Sequence, residues 1–286
     1  MASPTEKLPK FERPPVVEVA LSAQFQPLAK FTVAHLGLLW KRFSSRFPNV
    51  EQQPPIPHFV ERTGVRVQAP QVQFEMLRSG DLTPRLWMLN EVGTELIQVQ
   101  ADRFIRNWRK HQDPTATYPQ YEKHLRPQFE QDYLSFQRFV SEEGLGELVV
   151  DQCEVTYINH ISRDGVWTDH SQLDRVFIGW SGSYANVVGL PAEHVAVRAA
   201  HVLSHDASDF VGRLHVQVDS GFKPSPVSGD TSTEPVFNLQ LVARGRPLGE
   251  GTQGVLSFLD AGHRAIVTTF ANMTTPAMHN AWKRYQ

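Results

Sequence analysis

Residues 103–111, RFIRNWRKH, hold the densest set of groups able to do chemistry. Arg103, Arg106, Arg109 and Lys110 sit among Phe104 and Trp108. Guanidinium groups beside aromatic rings can stack on bases or clamp an anion. Arg106 and His111 also have an R-x4-H spacing that serves phosphodiester cleavage in some helical ribonucleases, although here it lies at the end of a strand pattern. A second group is HVLSH, with His201 and His205 on one strand face and His215 on a neighbouring strand. A divalent metal needs three or four converging ligands. Val197, Ala199 and Leu203 share the face of His201 and His205, so packed histidines are expected and no metal. Cys153 is the single cysteine, which excludes an intrachain disulfide and a thiolate zinc site. His160 has the opposite parity on the same strand, so no thiol nucleophile is expected. There is no nucleophile elbow, phosphate-binding loop or dinucleotide fingerprint. The expectation is no cofactor, and a protein that leans away from catalysis.

The chain has 286 residues, 41% hydrophobic and 20% charged, with a formal net charge of −2. The length suits two lobes or one elaborated domain. The slight acidity argues against a duplex-DNA binder, whose affinity comes largely from neutralising phosphates. The N-terminus lacks an apolar stretch of signal-peptide length, and no run reaches the roughly 18 apolar residues of a membrane span. These features predict a soluble, cytoplasmic protein.

The elements that must position these groups are legible as periodicities. VVEVALSAQF alternates as a half-buried strand, and FTVAHLGLLWKRFSSRF recurs at helical spacing with Thr32 as cap. QVQFEML, PRLWML and ELIQVQADRF read as strands. YPQYEKHLRPQFEQDYLSFQRFVSEEG reads as a helix broken near Pro127 and stopped by Gly144. The order then restarts. DQCEVTYINHI is a strand, SQLDRVFIGW a weak helix, three strands follow, and GVLSFLDAGHRAIVTTFANM and PAMHNAWKRY are helices. The expected fold is α+β: two related β-α-βββ-α lobes, with long helices packed on one face of an antiparallel sheet. A tail covers 1–14, and the lobes cover 15–147 and 148–286.

Side chains alternate across a strand, so each apolar side has a polar counterpart. Gln98 and Gln100 oppose Ile97 and Val99. His215 and Gln217 oppose Leu214 and Val216, and Asn238 and Gln240 oppose Phe237 and Leu239. Helices on one side leave the other free, which predicts an amide-rich recognition face. Continued alternation carries Phe104, Arg106 and Trp108 onto it, with Arg103 nearby.

Four segments, PPVVEVALSAQF, LIQVQADRFIRNWRK, YPQYEKHLRPQFEQDYLSFQRFV and EVTYINHI, resemble a sporadically distributed family of uncharacterised bacterial proteins. The resemblance spans roughly the first 160 residues. It implies a soluble bacterial protein of accessory gene sets and brings no catalytic residues with it. The expected function is non-enzymatic: the polar sheet face, with Gln98, Gln100, Arg103, Arg106, Trp108, His215, Gln217, Asn238 and Gln240, holds a partner protein or a small polar or anionic ligand. The alternatives are a nuclease-like or hydrolytic component using Arg106 and His111 or the histidine group, and a single-stranded nucleic-acid binder using Arg106 and Trp108. A homodimer is compatible with each.

Overall fold

The computed structural model describes residues 7–64, 83–110, 115–180, 189–190, 192–204, 209–224 and 233–286. Strand β1, Val16–Phe25, is the spine, because its Val19, Leu21, Ala23 and Phe25 all point into the core. Helix α1, Val33–Phe43, follows, and the Thr32 N–H donates to His35 Nδ1 at 3.0 Å. The chain then makes β2 (Asn49–Gln53), β3 (Arg85–Leu89), β4 (Glu95–Gln100) and β5 (Arg103–Arg109). The expected strand QVQFEML lies outside the described residues. A π-turn over Tyr121–Leu125 leads into α2, Arg126–Glu142, so the break expected at Pro127 falls at the start of the regular helix. Gly144 follows it with φ +60°.

The second half contributes β6 (Val150–Ile161), the short α3 (Leu173–Val176), β7 (Ala196–Ser204), β8 (Phe210–Pro224), β9 (Thr233–Gly245), α4 (Gly251–Met273) and α5 (Pro276–Ala281). Among the described residues the strands make one nine-stranded antiparallel sheet in the order β2-β3-β4-β5-β1-β6-β9-β8-β7. The first strand of each half pairs with the last strand of the meander that follows it. The halves meet where β1 pairs with β6, through Val19↔Tyr157, Leu21↔Val155 and Ala23↔Cys153.

The helices lie on the Val19–Phe25 side. Phe129 and Phe136 of α2 pack on Phe104, at ring centroid distances of 5.9 and 5.3 Å. Helix α4 comes close enough that a Cβ at Gly262 would sit 3.1 Å from both Val155 and Ala243, so only glycine allows this approach without a shift. Leu36, Leu39 and Phe43 of α1 join the same continuous core. Among the described residues no helix is long and apolar enough to cross a membrane.

Two readings change here. Residues 96–109 form a hairpin, not one strand: Gln100 pairs with Arg103 across a two-residue turn at Ala101–Asp102. A two-residue turn resets the alternation, because residues paired across strands share a face. Phe104, Arg106 and Trp108 therefore stand opposite Ala23, Leu21 and Val19, on the helix side. Arg103 stands opposite Gln24 on the amide side. The other is a strand the alternation did not announce, β2 at Asn49–Gln53, just ahead of the prolines at 54, 55 and 57.

Candidate functional site

The amide face is already occupied. After β2, Pro54, Pro55 and Pro57 keep the chain extended, since each fixes φ and denies a helix its donor. This strap, residues 54–64, crosses the sheet from β4 to β8. Gln100 donates to the Ile56 carbonyl at 2.8 Å and accepts the Ile56 N–H at 2.9 Å. Gln24 donates to the Phe59 carbonyl at 2.8 Å. Gln152 donates to that same carbonyl at 2.8 Å and accepts the Glu61 N–H at 2.8 Å. Arg103 donates to the Pro57 carbonyl at 3.1 Å, and Arg213 to the Arg62 carbonyl at 2.8 Å. Histidine–carboxylate contacts hold it further. His58 lies 2.8 Å from Asp102 and 3.0 Å from Asp151, and Glu61 lies 2.6 Å from His215 and pairs with Arg213.

Two further amides of this face, Gln98 and Gln217, have side-chain partners, whereas the Asn238 Oδ1 is buried without one. Gln98 is buried; it accepts from Arg85 at 2.6 Å and Trp87 at 2.9 Å, and donates to Asn107 at 2.8 Å. Gln217 bonds Asp219. Asn238 and Gln240 lie half-buried on the same face, paired with Asp219 and Gln217 in register.

The remaining expected residues do not converge. Arg106 is buried beneath the helices, 2.9 Å from the fully buried Asp132 and 2.8 Å from Glu95, with its guanidinium 5.7 Å from the Phe47 ring. Asp132 also pairs with Arg46. His201 faces the helix side but is exposed at the edge strand, which corrects the packed reading, while His215 is on the opposite face. His111 and His205 lie outside the described residues. Cys153 is fully buried, and burial pushes its thiol pKa up, away from reactivity.

A cavity of about 310 Å³ opens between sheet and helices where the two halves meet. Its apolar walls include Val16, Leu241, Ile266 and Phe270. A clasp of the two ends of the chain closes one side: the Tyr285 N–H donates to the Lys10 carbonyl at 3.0 Å, and the Glu12 N–H to that of Lys283 at 3.1 Å. Phe11 stands edge-on to Phe270 at 5.5 Å.

One hydrogen-bonded chain runs into this cavity. Tyr118 and Tyr157 hydroxyls are 2.9 Å apart, and Tyr157 Oη is 2.8 Å from His263 Nδ1. His263 Nε2 faces Glu122 at 3.7 Å. The Tyr121 ring lies flat on the imidazole, 3.9 Å between centroids and 9° apart, and its hydroxyl donates to Asp260 at 2.8 Å. Trp108 stands behind Tyr118, ring edge to ring face at 6.0 Å. Gly262 brings α4 to the sheet and so brings the next residue, His263, within reach of Tyr157. Asn159 lines the same wall and donates to the Leu239 carbonyl at 3.1 Å.

Burial lowers the His263 pKa, so the imidazole is neutral at pH 7, with Glu122 opposing the shift. The His263 ring beside it holds the Glu122 carboxyl down at about 2. Burial raises Tyr118 and Tyr157, keeping both hydroxyls protonated; for Tyr118 the contact with Tyr157 and the hydrogen bond from the Tyr121 backbone temper the rise.

The sequence carried a faint signal of this site, namely polar residues on core faces. Tyr157 and Asn159 share the inward parity of Val155, and His263 falls on the stripe of Leu259 and Ile266. What the sequence could not show is that three distant segments bring these residues together. No protein-family model matches the chain, and no curated protein matches it either.

Proposed function

We propose that this chain is a small-molecule-binding protein, not an enzyme, with its ligand in the cavity between sheet and helices. One observation carries the reading: Tyr118, Tyr157, His263 and Glu122 form a connected polar chain set into an otherwise apolar wall. Ligand sites combine a mostly apolar lining with a few fixed polar groups in this way. A neutral imidazole and protonated phenols orient a ligand by hydrogen bonding. The nuclease reading draws no support from Arg106, which spends its charge on Asp132 and Glu95.

The amide face supports a second reading, a surface for an extended partner polypeptide. The observation favouring it is that Gln24, Gln100 and Gln152 bind the strap through its main chain, without regard to its side chains. We also propose that the chain belongs to the bacterial family its four segments resemble, that it works in the cytoplasm, and that its halves arose by duplication. The matching strand order of the halves supports the last point, and superposing 15–145 on 149–286 tests it.

The function is tested by thermal-shift screening of small aromatic and aliphatic fragments against the wild type and Val267→Trp, which fills the cavity. Fragments that stabilise the wild type and not the variant are expected. Fragments that stabilise both equally, or none at all, would remove the cavity as the binding site.

A further inference from the structure

The hydrogen-bond chain in the cavity has a direction, and its direction names a ligand class. This step rests on the cavity being a binding site. An imidazole with one proton donates from one ring nitrogen and accepts at the other. Its Nε2 lies 3.7 Å from the Glu122 carboxylate, longer than a hydrogen bond but close enough that the negative charge favours the proton on Nε2. Nδ1 then carries a lone pair, and the Tyr157 hydroxyl, 2.8 Å away, must donate to it. With that proton used, Tyr157 Oη can only accept at its 2.9 Å contact with Tyr118. Tyr118 therefore turns its proton inward, and of its two oxygen lone pairs one meets the Tyr121 backbone and the other is left for the cavity. The reverse order would set a bare Nε2 lone pair against the carboxylate, two acceptors face to face.

From this geometry we propose that the cavity takes a planar aromatic molecule bearing an N–H or O–H donor, which donates to Tyr118 Oη. The walls supply the rest of the class. The Phe11, Tyr121 and Phe270 rings line the space and suit a flat ring. A ligand offering only an acceptor at that point would meet another acceptor and leave both unpaired, which costs more than a missing bond.

Indole and benzofuran separate the alternatives, because they share a shape and differ in one position: an N–H donor in the first, an oxygen acceptor in the second. Titration calorimetry on the full chain should show indole binding roughly tenfold tighter than benzofuran, the equivalent of about 1.4 kcal/mol. Tyr118→Phe should bring the two ligands to near-equal affinity. Glu122→Gln, which removes the acceptor-only group that sets the direction, should shrink the preference without emptying the cavity. This second variant lies half-exposed and keeps the test sound if Tyr118→Phe folds poorly. Equal binding to the wild type overturns the donor assignment and leaves the cavity reading standing. A preference for benzofuran means that the chain runs the other way and also overturns it. If neither binds and the fragment screen is also empty, both readings fall.

Discussion

Removing the Arg106 guanidinium would leave Asp132 ionised and fully buried with Arg46 as its remaining cation. Breaking such a buried pair from one side costs about 3–5 kcal/mol. Arg106→Ala is therefore expected to lower the urea midpoint sharply, and a midpoint within error of the wild type would contradict the buried network. Arg106→Lys should recover only part of the loss, since an ammonium lacks the planar fork that reaches both Asp132 and Glu95. His263 gives a pH dependence of defined sign. An unfolded imidazole binds its proton near pH 6.5, and the folded one, held below that by burial, binds it later. The unfolded state thus holds more protons as pH falls through this window, so stability is present above about 6.5 and is lost towards the folded value. Melting temperatures at pH 7.5 and 5.5 should fall less in His263→Gln than in the wild type. Glu122 acts lower: its depressed carboxyl adds stability above about 4.5 that disappears towards 2.

The strap makes its element-scale prediction through glutamine. Gln152→Ala removes the acceptor for the buried Glu61 N–H, leaving that donor unpaired at about 1–3 kcal/mol, and takes one of the two donors from the Phe59 carbonyl, which keeps Gln24. Limited proteolysis should then cut within residues 54–64 faster than in the wild type, while the rest of the sheet stays protected. Equal cutting rates would mean that the glutamines do not hold the strap. Why the strap escaped the sequence reading is physical. Local alternation announces a strand whenever one face is buried, and that signal placed β1, β6, β8 and β9 and the stripes of α2 and α4. The turn at Ala101–Asp102 contains neither glycine nor proline, so alternation ran straight through it and put Arg106 and Trp108 on the wrong face. The partners of the strap lie 34 to 154 residues away, and the Tyr157–His263 contact joins residues 106 apart. Pairings at such separations leave no mark on any window of sequence.

Across the whole molecule, the β1–β6 seam makes each half the other's neighbour in one sheet over one core. The strap bridges that seam, with the Gln100 and Gln24 contacts on one side and the Gln152 and Arg213 contacts on the other. That arrangement has a consequence for the order of assembly. The strap lies early in the chain, yet its docking surface is incomplete until β8 has joined β9, more than 150 residues later. Loop-closure entropy must be met before such distant contacts stabilise anything. Strap docking is thus expected as the last event in folding and the first in unfolding. Glu61→Gln weakens the contact with His215, so stopped-flow traces should show faster unfolding with the refolding rate nearly unchanged. A slower refolding limb would place the strap in the nucleus instead. In a cell this timing means that a ribosome would release residues 54–64 long before Gln152, Arg213 and His215 exist, and for that interval the far end of the strap stays bare main chain.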